Sequence, residues 1–346
     1  MRAAVCRAYG PPETIAVEDD YPAPALAEGQ VRVRVGAAAV NFPDVLFMAN
    51  QYQLSVPVPF IPGSEFAGVV TEVAVHPRGP SPLSTRGSVS PGGRTEYPPE
   101  FAVGDRVMGT TMVGAFAGEV VVAARSLSRI PAGVSDESAA AFGVAHRTAY
   151  HALRTVAAAQ PGERLVVLGA GGGVGLAAVQ LGAVLGLDVT AVASSDEKLA
   201  VAAASGAARG INHKAGALRT ALKETFADGT DIVIDPVGGD LAEPALRSLR
   251  WAGRFVSIGY ASGAIPKVPL NLVLLKGCKI LGFQMRDLSA HEPEAVRRNE
   301  EELLGLLADG KATPHVGSVF KLAEAAAALR HVADGKAVGK VILRVG

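Results

Sequence analysis

The 346 residues suffice for a large core and predict two domains rather than one. A hydrophobic fraction of 49% against 19% charged excludes global disorder, and 33 basic residues balanced by 33 acidic ones leave no electrostatic footprint for nucleic acid or an anionic membrane surface. Two cysteines, Cys6 and Cys278, exclude a disulfide framework or a cysteine metal cage and fit a reducing cytoplasm. No apolar run reaches the ~20 residues of a membrane span, and the N-terminus shows no signal-peptide pattern.

From Met1 to about Arg125, short strands punctuated by glycine and proline predict a small β-rich domain. Val31-Arg32-Val33-Arg34-Val35 alternates strictly, as a half-buried strand does; 66–75 and 105–108 continue the pattern, with a helix at 43–49. Residues 76–100 are rich in Pro, Gly, Ser and Arg and predict an inserted surface loop. Residues 136–155 read as one helix. Strands are then expected at 165–168, 189–192, 231–235, 254–258 and 279–283, with helices between them. This alternation predicts an α/β fold with a parallel, doubly wound sheet. A charged helix at 292–309, an alanine-striped helix at 322–332 and a strand at 340–344 close the chain, the strand placed to pair with the N-terminal β domain.

The stretch from Leu165 to Gly175 carries the chemistry. Four apolar residues run into Gly169-Ala170-Gly171-Gly172-Gly173-Val174-Gly175 and then into a helical run ending at Leu187. Bare backbone admits a pyrophosphate closely, and the helix start offers free N–H groups and a positive dipole end. With the strand at 188–192 this makes a βαβ unit of about 30 residues, the context a dinucleotide site requires. That strand ends in Ala193-Ser194-Ser195, with no acid before Asp196 and with Lys198 following. A small, uncharged end leaves room for a 2′-phosphate held by Ser194, Ser195 and Lys198, so NADPH is predicted over NADH. Ser195 or Asp196 also suits the cap of the next helix.

Further motifs stand in order along the chain: Val40-Asn41-Phe42-Pro43-Asp44, Pro62-Gly63-Ser64-Glu65-Phe66-Ala67-Gly68, Val103-Gly104-Asp105-Arg106-Val107, Arg147-Thr148-Ala149-Tyr150-His151-Ala152-Leu153, Asp235-Pro236-Val237-Gly238-Gly239 and Gly339-Lys340-Val341. With the glycine turn they resemble the zinc-free quinone oxidoreductase, or zeta-crystallin-like, branch of the medium-chain dehydrogenase/reductase superfamily. The resemblance implies a GroES-like catalytic domain from 1–126 and 287–346, a Rossmann domain at 127–286, and NADPH in the cleft between them. Zinc-dependent relatives place a cysteine where Asn41 stands and a histidine where Ser64 stands. Neither ligand is here, so chemistry through a zinc-bound alkoxide is not expected. No Tyr-x-x-x-Lys pair supports a short-chain dehydrogenase either. His146 and His151, five apart, do not share a helix face and suit core or surface roles.

By the same resemblance, the catalytic candidates are Asn41, for its amide donors, and Tyr52, for its phenol. Cofactor-binding candidates are Ala170, Gly171, Gly172, Gly173 and Val174 in the turn, Ser194, Ser195, Lys198 and His213 for the 2′-phosphate, and Thr148, Gly259, Tyr260 and Phe283 toward the nicotinamide, Thr148 as a donor. Lys340 either reaches a phosphate or the nicotinamide end, or is a solvated lysine. Glu65 reads as a structural acid and Asp44 as a loop-orienting one. The implied reaction is NADPH-dependent hydride transfer to a quinone or conjugated enone, acceptors electrophilic enough to need no metal. Leu46 stands where related quinone reductases often carry a tyrosine, which leaves a 2-alkenal or enoyl-thioester reductase as the alternative. A non-catalytic NADPH-binding structural or regulatory protein is the alternative of another class. A homodimer through the edge strand 279–283 is expected, with the apolar run 270–275 at the interface or in the core.

Overall fold

The computed structural model describes residues 1–74 and 101–346; the loop predicted at 76–100 lies outside the described residues. The chain begins with strands β1 (Ala3–Cys6), β2 (Ile15–Glu18) and β3 (Gln30–Val40), helix α1 (Phe42–Met48), and strands β4 (Glu65–Val73), β5 (Arg106–Thr110), β6 (Glu119–Ala123) and β7 (Leu127–Arg129). Helices α2 (Asp136–Ala140) and α3 (Gly143–His151) lead into β8 (Arg164–Leu168), α4 (Gly173–Val184), β9 (Asp188–Ala193), α5 (Asp196–Ala204), β10 (Arg209–Asn212), α6 (Leu218–Thr225), β11 (Thr230–Asp235), α7 (Ala242–Ser248) and β12 (Leu249–Ser257). Then come α8 (Asn271–Lys276), β13 (Lys279–Gly282), α9 (Met285–His291), α10 (Pro293–Ala308), β14 (Val316–Lys321), α11 (Ala325–Ala333) and β15 (Lys340–Arg344).

The strands sort into two principal sheets. Six parallel strands in the order β10-β9-β8-β11-β12-β13 form the doubly wound sheet. Its order reverses between β8 and β11, and the glycine turn follows β8, at the crevice where such sheets bind ligands. β8 is buried along Leu165–Leu168, as an unbroken apolar run in a sheet covered on both faces must be. The other sheet runs β14-β15-β3-β4-β5-β7, with β6 on β3, so that N-terminal and C-terminal segments meet in it, while β1 and β2 pair as a separate two-stranded sheet. Its core is built from alternate residues such as Val31, Val33 and Val35, with Phe66 and Leu343.

Register is what positions the site. β15 lies antiparallel to β3 with Val341 opposite Val40, so Lys340 falls beside Asn41, the first residue beyond β3. The expected single helix over 136–155 is instead α2, α3 and a π-helical turn at Ala152–Val156. The break before Gly143 frees the N–H of Val144, which donates to Glu65 Oε2 at 2.5 Å. A strand contact far away in sequence thus overrides a continuous helical pattern.

Candidate active site

Asn41 stands at the N-cap of α1: its backbone N–H donates to Asp44 Oδ2 at 2.7 Å and its carbonyl accepts from Asp44 N at 3.0 Å, which fixes the entry of the helix without a cap from its own side chain. Its side chain turns the other way, with Oδ1 accepting from Lys340 Nζ at 2.7 Å and Nδ2 lying 3.3 Å from both Ser64 Oγ and Glu65 Oε1. Glu65 Oε1 also takes the ammonium of Lys340. Asn41, Asp44, Glu65 and Lys340 are all buried. The solvated reading of Lys340 is therefore corrected: pairing of β15 with β3 carries it inside, where Glu65 compensates its charge. Burial pushes the Asp44 carboxyl up to about 7, against the lowering effects of the Asn41 N–H and the Lys340 charge.

The glycine turn lies against this cluster. A parallel bridge joins Gly172 to Gly339, and Gly339 N–H donates to the Gly171 carbonyl at 2.8 Å. A Cβ on Gly173 would stand 2.8 Å from Lys340 Cδ, so the lysine stem passes directly over the start of α4. Gly169 has φ +61°, and a Cβ on Gly175 would overlap the Gly169 carbonyl oxygen. Gly172, the N-cap of α4, brings no capping side chain, so the first N–H groups of this 12-residue helix stay free for an anion. The residues present therefore fit a dinucleotide pyrophosphate. Ala170 is buried, its N–H held by Val192 O at 3.0 Å, and supports the turn from inside.

Ser194, Ser195, Lys198 and His213 gather at the carboxyl ends of β9 and β10. Ser194 is exposed, and Ser195 caps α5 by accepting from Lys198 N at 3.3 Å. The stem of Lys198 covers Gly171, and its ammonium donates to Gly335 O at 2.7 Å; partial burial pushes its pKa down. His213 donates its backbone N–H to Ala193 O at 3.0 Å, and desolvation first, then the charges of Lys214 and Lys198, push its imidazole down.

Other predicted residues stand apart from that group. Thr148 gives its hydroxyl proton to Val144 O at 2.7 Å, so in this arrangement it presents an acceptor rather than the expected donor. The ring of Tyr52 lies 4.5 Å from that of Phe47, and its hydroxyl has no partner among the described residues. Gly259 and Tyr260 follow β12; Gly259 N–H reaches Asp235 O at 3.4 Å and the Tyr260 hydroxyl lies 3.4 Å from Ser257 Oγ. Phe283 follows β13, half-buried. Asp235 accepts from the N–H groups of Val237 and Gly238 at 2.8 Å each, shaping the turn beside the crevice, and burial pushes it up.

His146 and His151 are buried, and burial pushes each down to about 4. His146 Nε2 lies 3.1 Å from Gln180 Oε1, whose amide nitrogen is committed to Thr313 O. Among the described residues no group of three or more His, Cys, Asp and Glu is arranged to hold a metal ion, and no helix is long and apolar enough to cross a membrane.

A doubly wound sheet with a glycine turn at its switch point, set against a second sheet built from N-terminal and C-terminal segments, is the architecture of a two-domain dehydrogenase or reductase. Residues 27–132 match the family of alcohol dehydrogenase GroES-like domains, and residues 173–301 match that of zinc-binding dehydrogenases. The chain is 36% identical over 344 residues to quinone oxidoreductase-like protein 2 of Bos taurus, covering 99% of this chain and 92% of that one. Two solved structures share its full length: the Thermus thermophilus quinone oxidoreductase, determined also with NADPH (34% identity, TM-score 0.81), and the Escherichia coli quinone oxidoreductase complexed with NADPH (26%, 0.84); each is likewise covered over 100% of its chain. The chain belongs to the quinone oxidoreductase branch of the medium-chain dehydrogenase/reductase superfamily.

Proposed function

We propose that the protein is an NADPH-dependent, zinc-free reductase that transfers hydride to a quinone or a conjugated enone. The observation that carries this reading is the direct junction of an uncapped glycine turn, through Gly339 and Lys340, with the buried cluster of Asn41 and Glu65. A cofactor turn and a buried polar cluster are thereby brought to one place. NADPH complexes of the related quinone oxidoreductases support the cofactor assignment.

In this reading the N–H groups of Gly173 and Val174 bind the pyrophosphate, and Ser194, Ser195, Lys198 and His213 receive the 2′-phosphate. Thr148, Gly259, Tyr260 and Phe283 border the nicotinamide, while Asn41 and Tyr52 stand beside the acceptor. The nicotinamide, when bound, supplies the hydride. Asn41 and Ser64 offer an amide and a hydroxyl, a poor donor set for zinc, so the acceptor itself has to be electrophilic. The proposed division is 1–126 with 287–346 as the catalytic domain and 127–286 as the cofactor domain. We also infer a homodimer through β13, one of the two edge strands of the parallel sheet. Around it Leu270, Leu274 and Leu275 are 75%, 81% and 72% exposed, an apolar surface of the kind that marks an interface.

Steady-state oxidation of NADPH and of NADH against a benzoquinone, a naphthoquinone, a short 2-alkenal and a 2-enoyl thioester tests the reading. Preference for NADPH with turnover of a quinone or enone supports it. Preference for the alkenal or the thioester assigns the narrower reductase class, and tight NADPH binding without turnover assigns a non-catalytic role.

A further inference from the structure

Lys340 is the one lysine or arginine buried among the described residues, at 3% exposure. Taking an ammonium out of water costs several kcal/mol unless it is paired and hydrogen-bonded, and an apolar pair of similar volume often holds a core as well. Cohesion alone therefore does not account for a charge at this position. A lysine ammonium has three N–H donors. Asn41 Oδ1 and Glu65 Oε1 take two, and the third has no acceptor among the described residues.

Its placement is specific. The stem runs over Gly173 at the start of α4, and Nζ ends at the side chain of Asn41, so the charge stands between the turn that cradles a dinucleotide and the residues assigned to the acceptor. The amide of Asn41 is already spent on Lys340, Ser64 and Glu65, which makes it a holder of the ammonium rather than a free donor. Nearby His146 is buried, with its imidazole held toward the neutral form, and brings no second cation.

We propose that Lys340 is an electrophilic catalytic residue: its third N–H is given to the carbonyl oxygen of the acceptor, and its charge stabilises the oxyanion formed there. This rests on the hydride-transfer reading. The hydride pair forms the new C–H bond at the conjugated carbon, and the π electrons move onto the acceptor oxygen. NADPH is thereby oxidised; an enone's enolate then takes a proton from water, whereas a quinone's enolate is protonated on oxygen and loses the proton at the newly hydrided carbon to water, giving the hydroquinone. A fixed donor aimed at developing charge contributes about 10²–10³ in rate, and its contribution rises as the acceptor becomes less electrophilic.

The test is kcat of the full chain and of Lys340→Met across a benzoquinone, a naphthoquinone and a 2-alkenal, with NADPH affinity followed by fluorescence and folding by thermal melting. The expected result is a loss of about 10²-fold or more on the alkenal and a smaller one on the benzoquinone, at little-changed NADPH affinity. Lys340→Arg is expected to recover part of the rate. Should Lys340→Met fail to fold, Lys340→Gln keeps a hydrogen bond to Glu65 without the charge and is expected to show the same gradient. An equal loss on every acceptor, no loss, or a loss that follows NADPH affinity overturns the proposal. Absence of turnover by the unaltered protein on every acceptor overturns instead the reading on which it rests.

Discussion

Gly339 donates its N–H to the carbonyl of Gly171 at 2.8 Å, tying the strand that carries Lys340 to the turn that opens α4. Gly339 holds φ +72°, and a Cβ there would overlap the carbonyl oxygen of His315, which itself accepts from Lys340 N at 2.8 Å. That oxygen is backbone and cannot step aside. Gly339→Ala is expected to cost about 1–3 kcal/mol of stability from the backbone conformation alone. It should also weaken NADPH binding, because the turn loses its tether. Chemical denaturation with a parallel NADPH titration checks both effects; an unchanged midpoint with unchanged affinity would remove the tether from the site.

Lys198 is held at Gly335 O in the free protein, so engaging a 2′-phosphate exchanges a neutral acceptor for a charged one. A hydrogen bond to a charged group contributes about 1.5–3 kcal/mol. Lys198→Ala should therefore weaken NADPH by about tenfold or more and leave NADH nearly unaffected, as read by titration of each cofactor. Equal weakening of both would show that Lys198 acts through Gly171 and Gly335 rather than through the phosphate.

Asp44, pushed up to about 7 by burial, gives a pH signature. Between its unfolded value near 4 and its folded value near 7, the native chain holds a proton that the unfolded chain has released. Stability from this group is therefore present at low pH and declines as pH rises through that window. His146 and His151 act oppositely below about pH 6.5, since the unfolded chain protonates them while the native chain resists. The difference between the wild type and Asp44→Asn isolates the carboxyl. Thermal melts from pH 5 to pH 8 should show the wild type losing more stability than the variant as pH rises, whereas parallel curves would mean that Asp44 is ionised throughout.

The proposed dimer edge is open to a similar test. Leu274, 81% exposed on α8, is expected to be covered by the partner. Leu274→Glu should convert a dimer to a monomer in sedimentation velocity without lowering the melting temperature of the monomer fold. A wild-type chain that sediments as a monomer would contradict the assignment.

Much of this architecture was legible in the residues because it rests on local signals. The strand at 340–344 and the parallel strands at 165–168, 189–192, 231–235, 254–258 and 279–283 are short, mainly apolar runs with a glycine near one end, whereas β10 (Arg209–Asn212), with only Ile211 buried, lacks that pattern. The glycine turn was equally plain, since its spacing encodes its backbone. β14 was not, because Gly317 and Ser318 interrupt its apolar pattern and pairing with β15 makes it a strand. The state of Lys340 was also hidden. A lysine after a glycine looks solvated until the pairing of Val341 with Val40 places it beside Asn41, and Glu65 is 275 residues away in sequence. Thr148 was misjudged for a local reason instead: its hydroxyl donates to the carbonyl of Val144, four residues back in the same helix, a bond any helix offers a threonine.

Hydride transfer is tested most directly by stopped-flow oxidation of stoichiometrically bound NADPH, protiated or deuterated at the transferring position of nicotinamide C4, after mixing with a quinone or enone. The nicotinamide absorbance is predicted to fall only when the acceptor is present, and more slowly with deuterium. Absorbance that stays constant with every acceptor while NADPH remains bound would contradict a reductase.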